Sequence, residues 1–353
     1  MRGARRFLAH ESRSKYTLFL RKWQGDSKKT AFFWLIICFF VYLHPFFSEK
    51  NHLYLYIIRY AREKWVNMAW YLHEKELGLN NKEQDIFMDK KIKALFFDID
   101  GTLVSFKSHR IPQSTVDALE QAKKNGVEVY ISTGRPKQII NNLGQIEHLI
   151  DGYITTNGAR CFVEDTLVSQ HAILPSDVKK IIEAADRDNY PAIVVSKSRF
   201  AIHHYTDEVY EIFCKGLGVD SSIFITDVDE LGDEPILQVT PFCTVEQEAL
   251  LMPTLENCTS GRWHPAFTDI TARGADKGKG LHAMADYLGL NIEETMAFGD
   301  GGNDISIIKK AGVGVAMGNA GDELKQVADY ITTHVDEDGV KNALIKYGVI
   351  AEN

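Results

Sequence analysis

The apolar pattern divides the chain into three stretches. From residue 88 to 171, short apolar runs alternate with segments of helical spacing. Ala94-Leu95-Phe96-Phe97 is an unbroken run of the kind buried on both faces of a parallel sheet. Residues 115–125 place Val116, Leu119 and Ala122 at helical spacing, and Asn125-Gly126 supplies a left-handed stop. Residues 127–131 and 153–155 read as further strands, with a helix over 137–143 between them. From 172 to 263 the pattern changes. Helices over 176–188, 207–216 and 245–255 mix with strands over 192–195, 199–203 and 236–240. From 264 to 353 the first pattern returns, with helices over 277–288 and 304–311 and strands over 295–298, 314–316 and 330–332. Residues 267–271 are expected to lead back into the first pattern. The prediction is an α/β protein, with a Rossmann-like parallel sheet (88–171 and 264–353) interrupted by an α+β insertion over 172–263.

Residues 1–87 stand apart as an N-terminal extension, hydrophobic and helical in pattern. Residues 31–47 are apolar and long enough for a short membrane span, and residues 1–30 carry nine Lys+Arg, which would keep the N-terminus inside. Residues 53–72 are also apolar but are broken by Arg59, Arg62, Glu63 and Lys64, as in a helix lying on a surface. Two readings stand side by side: a single-pass anchor through 31–47, or an extension without function ahead of a domain that starts near Met88.

Charge sharpens the division. Residues 1–90 hold 16 Lys+Arg against 9 Asp+Glu, and residues 91–353 hold 24 against 39. An acidic body argues against a nucleic-acid groove. The five cysteines are odd in number, scattered and free of any Cys-x-x-Cys pair, which fits buried thiols in a reducing compartment rather than disulfides or zinc. A cytoplasmic catalytic body is the natural reading of those thiols, and it conflicts with the orientation an anchor would impose.

Four segments carry candidate chemistry. Asp98-Ile99-Asp100-Gly101-Thr102 ends the first apolar run. Two carboxylates at i and i+2 leave a strand end on one side, where one can attack and the other handle protons. Alone, the pair could simply cap a turn. Thr133 ends the second strand ahead of Gly134-Arg135 and offers a hydroxyl to an anion or an N-cap to the next helix. Lys277 opens a helix, a place unfavourable for a cation unless an anion binds there too; Lys279 lies close enough to compete for the role. Gly299-Asp300-Gly301-Gly302-Asn303-Asp304 puts two carboxylates and an amide on a glycine-rich loop, and its hard oxygen ligands suit Mg2+.

In this order, and with Thr133-Gly134-Arg135 and Thr156-Asn157-Gly158, the segments resemble the haloacid dehalogenase superfamily, in particular its Cof-type branch, which includes sugar-phosphate phosphatases. The resemblance covers residues 91–350. It implies that Asp98 is the nucleophile and Asp100 the general acid and base. It also implies that Mg2+ is held by Asp98, the Asp100 carbonyl and Asp300, with Asp304 acting directly or through water. Thr133 and Lys277 would bind phosphoryl oxygens, and Asn303 would orient the phosphate. Gly101 and Gly134 would shape the phosphate pocket, and Arg135, Asn157, Trp263 and His264 would contact a sugar. The implied activity is hydrolysis of a small phosphorylated metabolite through an aspartyl-phosphate. A sugar phosphomutase on the same motifs and a membrane-tethered binding protein are the competing readings. His203-His204 is expected to be part of the insertion's framework rather than a metal pair, and Asp269 either a salt-bridge partner or a substrate contact.

Overall fold

The computed structural model describes residues 91–352 apart from Leu217 and Thr226. The extension, its apolar segment 31–47 included, lies outside the described residues. Among the described residues no helix is long and apolar enough to cross a membrane. Cys161, Cys214, Cys243 and Cys258 are free and buried.

The first sheet has eight strands. In chain order they are β1 (Ala94–Phe97), β2 (Glu128–Ser132), β3 (Gly152–Thr155), β4 (Arg160–Val163) and β5 (Thr166–Gln170), then, after the insertion, β12 (Thr295–Gly299), β13 (Val313–Ala316) and β14 (Tyr330–Ile331). The spatial order is β14-β13-β12-β1-β2-β3-β4-β5. Every pairing from β14 to β3 is parallel, while β4 and β5 add an antiparallel edge. β1 is central and fully buried, as its four apolar residues require. Leu95 and Phe97 point to one hydrophobic layer, closed by α1 (Gln113–Lys124) and α6 (Gly339–Lys346). Ala94 and Phe96 point to the other, closed by α4 (Lys277–Leu288) and α5 (Ile305–Lys310).

The insertion forms a six-stranded sheet of order β10-β11-β9-β6-β7-β8. Its strands are β6 (Ala192–Ser196), β7 (Phe200–His203), β8 (Phe224–Ile225), β9 (Ile236–Pro241), β10 (Cys258–His264) and β11 (Phe267–Ala272), and α2 (Pro175–Asp188) and α3 (Val245–Leu251) belong to the same insertion. Residues 267–271, expected to lead back into the first sheet, instead pair with β9 and β10. The polar sequence Cys258–His264 gives little strand signal, so the hairpin that holds β11 in this sheet is invisible in the pattern. Three helix expectations also shorten. Residues 137–143 make only the turn Lys137–Ile139, because Asn141 and Asn142 turn outward to the Gly218 carbonyl and to Asp100. Residues 207–216 form one α turn and then wider turns over Tyr210–Lys215. α3 stops at Leu251, just before Pro253, which lacks the N–H a helix needs.

α4 packs against α5 through Gly278. A Cβ there would lie 2.5 Å from the Ser306 carbonyl oxygen and 2.6 Å from Lys310 Cδ. Gly278→Val is therefore expected to cost about 2 kcal/mol of unfolding free energy in urea titrations, because the helices must move apart; an unchanged midpoint would contradict this packing.

Candidate active site

β1 and β12 run parallel with Phe97 beside Phe298, so the loops after each strand emerge together. Asp98 comes directly after β1, and Asp300 and Asp304 come after β12. One carboxylate oxygen from each lies within 4.8 Å of the others. Lys277 reaches them from the first turn of α4. Its ammonium donates to Asp98 Oδ1 at 2.7 Å and to Asp304 Oδ1 at 2.6 Å, and its side chain is wholly buried. The exposed Lys279 turns away to the Arg273 carbonyl. Asp276 caps the helix by accepting from the Lys279 N–H and is itself paired with Lys310. The Asp300 and Gly301 N–H groups donate to Asp304 Oδ2, so the glycine-rich loop folds around that carboxylate.

The electrostatics arise from burial. Two ionised carboxylates at this spacing repel by roughly 3 kcal/mol at an effective dielectric near 20. Burial pushes Asp98 well above its usual range; Asp304 and Asp300 add to the push and Lys277 opposes it. Burial, then the Asp304 charge, lifts Asp300 to about 6. Burial alone would lower Lys277, but Asp304 and Asp98 outweigh it and hold the ammonium above its ordinary range. Burial is thus the main cause of the two raised carboxylates, and the charge imbalance adds to it, because a single buried ammonium cannot balance three carboxylates. A divalent cation beside Lys277 would balance the set, and converging carboxylate oxygens are the donors that hard cations take.

Asp100 is not part of this cluster. Its carboxylate turns toward Arg135, which donates from Nε to Oδ2 at 2.7 Å and from Nη2 to Oδ1 at 3.0 Å. Asn142 adds a longer contact at 3.4 Å. Any metal role for Asp100 is thus left to its backbone carbonyl. Arg135, which the resemblance assigns to a sugar contact, is a bidentate partner of the candidate acid and base. Thr133 is buried and its hydroxyl accepts from the Arg135 N–H. Asn303 donates to Asn157 at 3.1 Å, and a Cβ on Gly134 would lie 3.2 Å from that same Asn157 oxygen. Thr156 and Asn157 both adopt left-handed backbone conformations, uncommon for a β-branched residue such as Thr156, and are held by bonds to the Arg135 and Thr133 carbonyls. Gly101, at φ +86°, turns the chain where a side chain would collide with the Asp300 carboxylate.

His264 ends β10, where it stacks on Phe267 and its Nδ1 accepts from the Ala266 N–H; both contacts lie within the hairpin. The Trp263 side chain is outside the described residues. Asp269 accepts from Gln238 and Thr240 inside the second sheet. Three participants carry no separate sequence signal. Thr102 donates to Asp300 at 3.0 Å, Asn142 reaches Asp100, and Asn319 donates to the Gly101 carbonyl at 2.7 Å. Of the three, only Thr102 lies inside one of the four candidate segments.

Lys277→Met removes the only cation that these described contacts place inside the cluster. In metal-free buffer it is expected to lose about 3 kcal/mol of stability, the usual cost of leaving a buried charge uncompensated. A divalent cation should restore part of that loss in the same urea titration. Equal stability of variant and parent in metal-free buffer would contradict the electrostatic account.

Residues 95–344 match the family model for haloacid dehalogenase-like hydrolases. A putative phosphatase, YkrA of Bacillus subtilis, is 32% identical over 74% of this chain and all of its own length. The 5-amino-6-(5-phospho-D-ribitylamino)uracil phosphatase YitU of the same organism is 29% identical over 74% of this chain and 99% of its own. The solved structure of the subclass IIB sugar phosphatase BT4131 superposes with a TM-score of 0.68 at 45% identity, over 73% of this chain and 100% of that one. The matched range spans most of the chain, and Asp98, Lys277, Asp300 and Asp304 all fall within it. The chain therefore belongs to the haloacid dehalogenase-like hydrolases and is a phosphatase of that family.

Proposed function

We propose that the chain is a Mg2+-dependent phosphomonoesterase that hydrolyses small sugar phosphates through an aspartyl-phosphate on Asp98. The observation that carries this reading is the division of labour between two aspartates two residues apart. Asp98 is buried against Lys277, whereas Asp100 is partly exposed and held by Arg135.

Asp98 Oδ attacks phosphorus in line, and the bond from phosphorus to the alcohol oxygen breaks. Asp100 gives its proton to the departing oxygen. Water then attacks the phosphorus of the aspartyl-phosphate, Asp100 takes its proton, and the Asp98 carboxylate leaves. Lys277 and Thr133 hold phosphoryl oxygens, and Asn303, tied to Asn157, orients the group. Mg2+ on Asp98, Asp300, Asp304 and the Asp100 carbonyl would neutralise phosphoryl charge and lessen its repulsion from Asp98. Arg135 keeps the Asp100 carboxylate apart from the cluster, in reach of the leaving group. The second sheet acts as a lid that excludes bulk water, and the sugar would meet residues of its inner face, with Trp263 and His264 as candidates. The sugar phosphatase among the structural relatives supports a sugar phosphate, and YitU supports including a ribityl phosphate. The acidic body argues against nucleic acid as a partner. A cytoplasmic catalytic domain fits the free thiols, and a membrane tie would rest on residues 31–47 alone.

The test is phosphate release by the full chain across hexose, pentose and ribitylaminouracil phosphates, with Mg2+ or with EDTA. The expected result is Mg2+-dependent release that vanishes in Asp98→Asn and falls roughly 10²–10⁴-fold in Asp100→Asn, the usual worth of a general acid. Interconversion of isomers without phosphate release would instead establish a mutase, and silence on both assays would refute the catalytic reading.

A further inference from the structure

A second cluster of metal-ligating side chains lies in the insertion, on residues that the phosphatase reading does not use. His203 closes β7, His204 is next in the chain, and Asp186 sits in the last turn of α2. Both imidazoles aim at one oxygen, with His203 Nε2 2.7 Å and His204 Nε2 3.2 Å from Asp186 Oδ1. The three potential ligand atoms lie within 4.8 Å of one another.

The backbone explains how neighbouring residues come to face the same way. Successive side chains on a strand point to opposite faces. On β7, Phe200 and Ile202 enter one hydrophobic layer and Ala201 the other, and His203 shares the face of Ala201 and of α2. His204 would therefore point away. It instead takes a left-handed conformation, φ +55°, which brings its ring back onto His203 with centroids 4.0 Å apart. Asp186 Oδ1 can accept from both rings through its two lone pairs; what the left-handed turn adds is a second imidazole nitrogen converging on the same point. The neighbouring cation offers no alternative partner, because Arg187 is paired bidentately with Asp188.

We propose that Asp186, His203 and His204 form a surface site for a borderline transition-metal cation such as Zn2+. Two imidazole nitrogens and one carboxylate oxygen make the mixed donor set that Zn2+ accepts, and the partial exposure of all three side chains leaves the fourth tetrahedral position to water. Mg2+ avoids imidazole in favour of oxygen, so the site is chemically distinct from the carboxylate cluster. A cation there would tie the end of α2 to the end of β7 and stabilise the folded insertion.

The experiment is calorimetric titration of the full chain with Zn2+ while Mg2+ is kept saturating, together with the visible spectrum of the Co2+ form. His203→Gln, Asp186→Asn and His204→Asn are compared; asparagine tolerates the left-handed conformation, so the last variant removes a ligand and spares the backbone. The expected result is one Zn2+ per chain, a tetrahedral Co2+ spectrum, and affinity reduced roughly 10–100-fold or more in each variant. Phosphate release with Mg2+ should be the same in all four proteins. No Zn2+ uptake once Mg2+ is saturating, or equal Zn2+ affinity in all four proteins, would overturn the site. These binding readouts do not depend on the phosphatase reading.

Discussion

The wholly buried ammonium of Lys277, between Asp98 and Asp304, is the constraint around which the rest of the molecule is arranged. A lysine can be held there only if carboxylates meet it on arrival, and carboxylates can be crowded there only if a cation does. Both conditions are satisfied by topology. β1 and β12 are parallel neighbours, so the loops after them bring Asp98, Asp300 and Asp304 to one edge. α4 crosses behind the sheet and delivers Lys277 from its first turn, and the close approach at Gly278 fixes where that turn lies.

Burial, first, and then the surplus of negative charge that one ammonium leaves among three carboxylates hold Asp98 and Asp300 above the usual carboxylate range. In the proposed reading the surplus would draw a cation, and a bound cation would then draw an anion. This is the order of events that phosphoryl transfer to a carboxylate needs, because an uncompensated nucleophile would repel its substrate. Asp100 escapes the crowding through its fork of hydrogen bonds from Arg135. Two aspartates two residues apart thereby meet different environments, as the proposed division between a nucleophile and a proton carrier requires.

Most of the first sheet is legible in the sequence because its parallel strands have apolar centres and its helices carry clear periodicity, whereas the antiparallel edge strands β4 and β5, with Arg160, Thr166, Ser169 and Gln170, give no such run. The site is legible because each functional residue sits at the end of such an element. The features that leave no local mark are set by long-range pairing. β10 is polar, so the hairpin that holds β11 in the second sheet gives no signal, and the pattern puts residues 267–271 in the wrong layer. The short turn after Arg135 replaces an expected helix because Asn141 and Asn142 spend their amides on distant partners. The pairing of Arg135 with Asp100 leaves no local mark either, since no pattern records which carboxylate a guanidinium will find. Thr102 and Asn319 owe their roles to contacts across 198 and 218 residues of chain, which no local reading reaches.

The central claim is that Asp98, set against Lys277, carries the phosphoryl group. Borohydride reduction during turnover tests it directly, because an aspartyl-phosphate is reduced to homoserine whereas a free carboxylate is not. Peptide mass spectrometry of the full chain quenched with borohydride in the presence of a hydrolysed sugar phosphate should show homoserine at position 98, and none without substrate. Steady phosphate release with residue 98 recovered only as aspartate would contradict the account, and would mean that water attacks the substrate without a covalent intermediate.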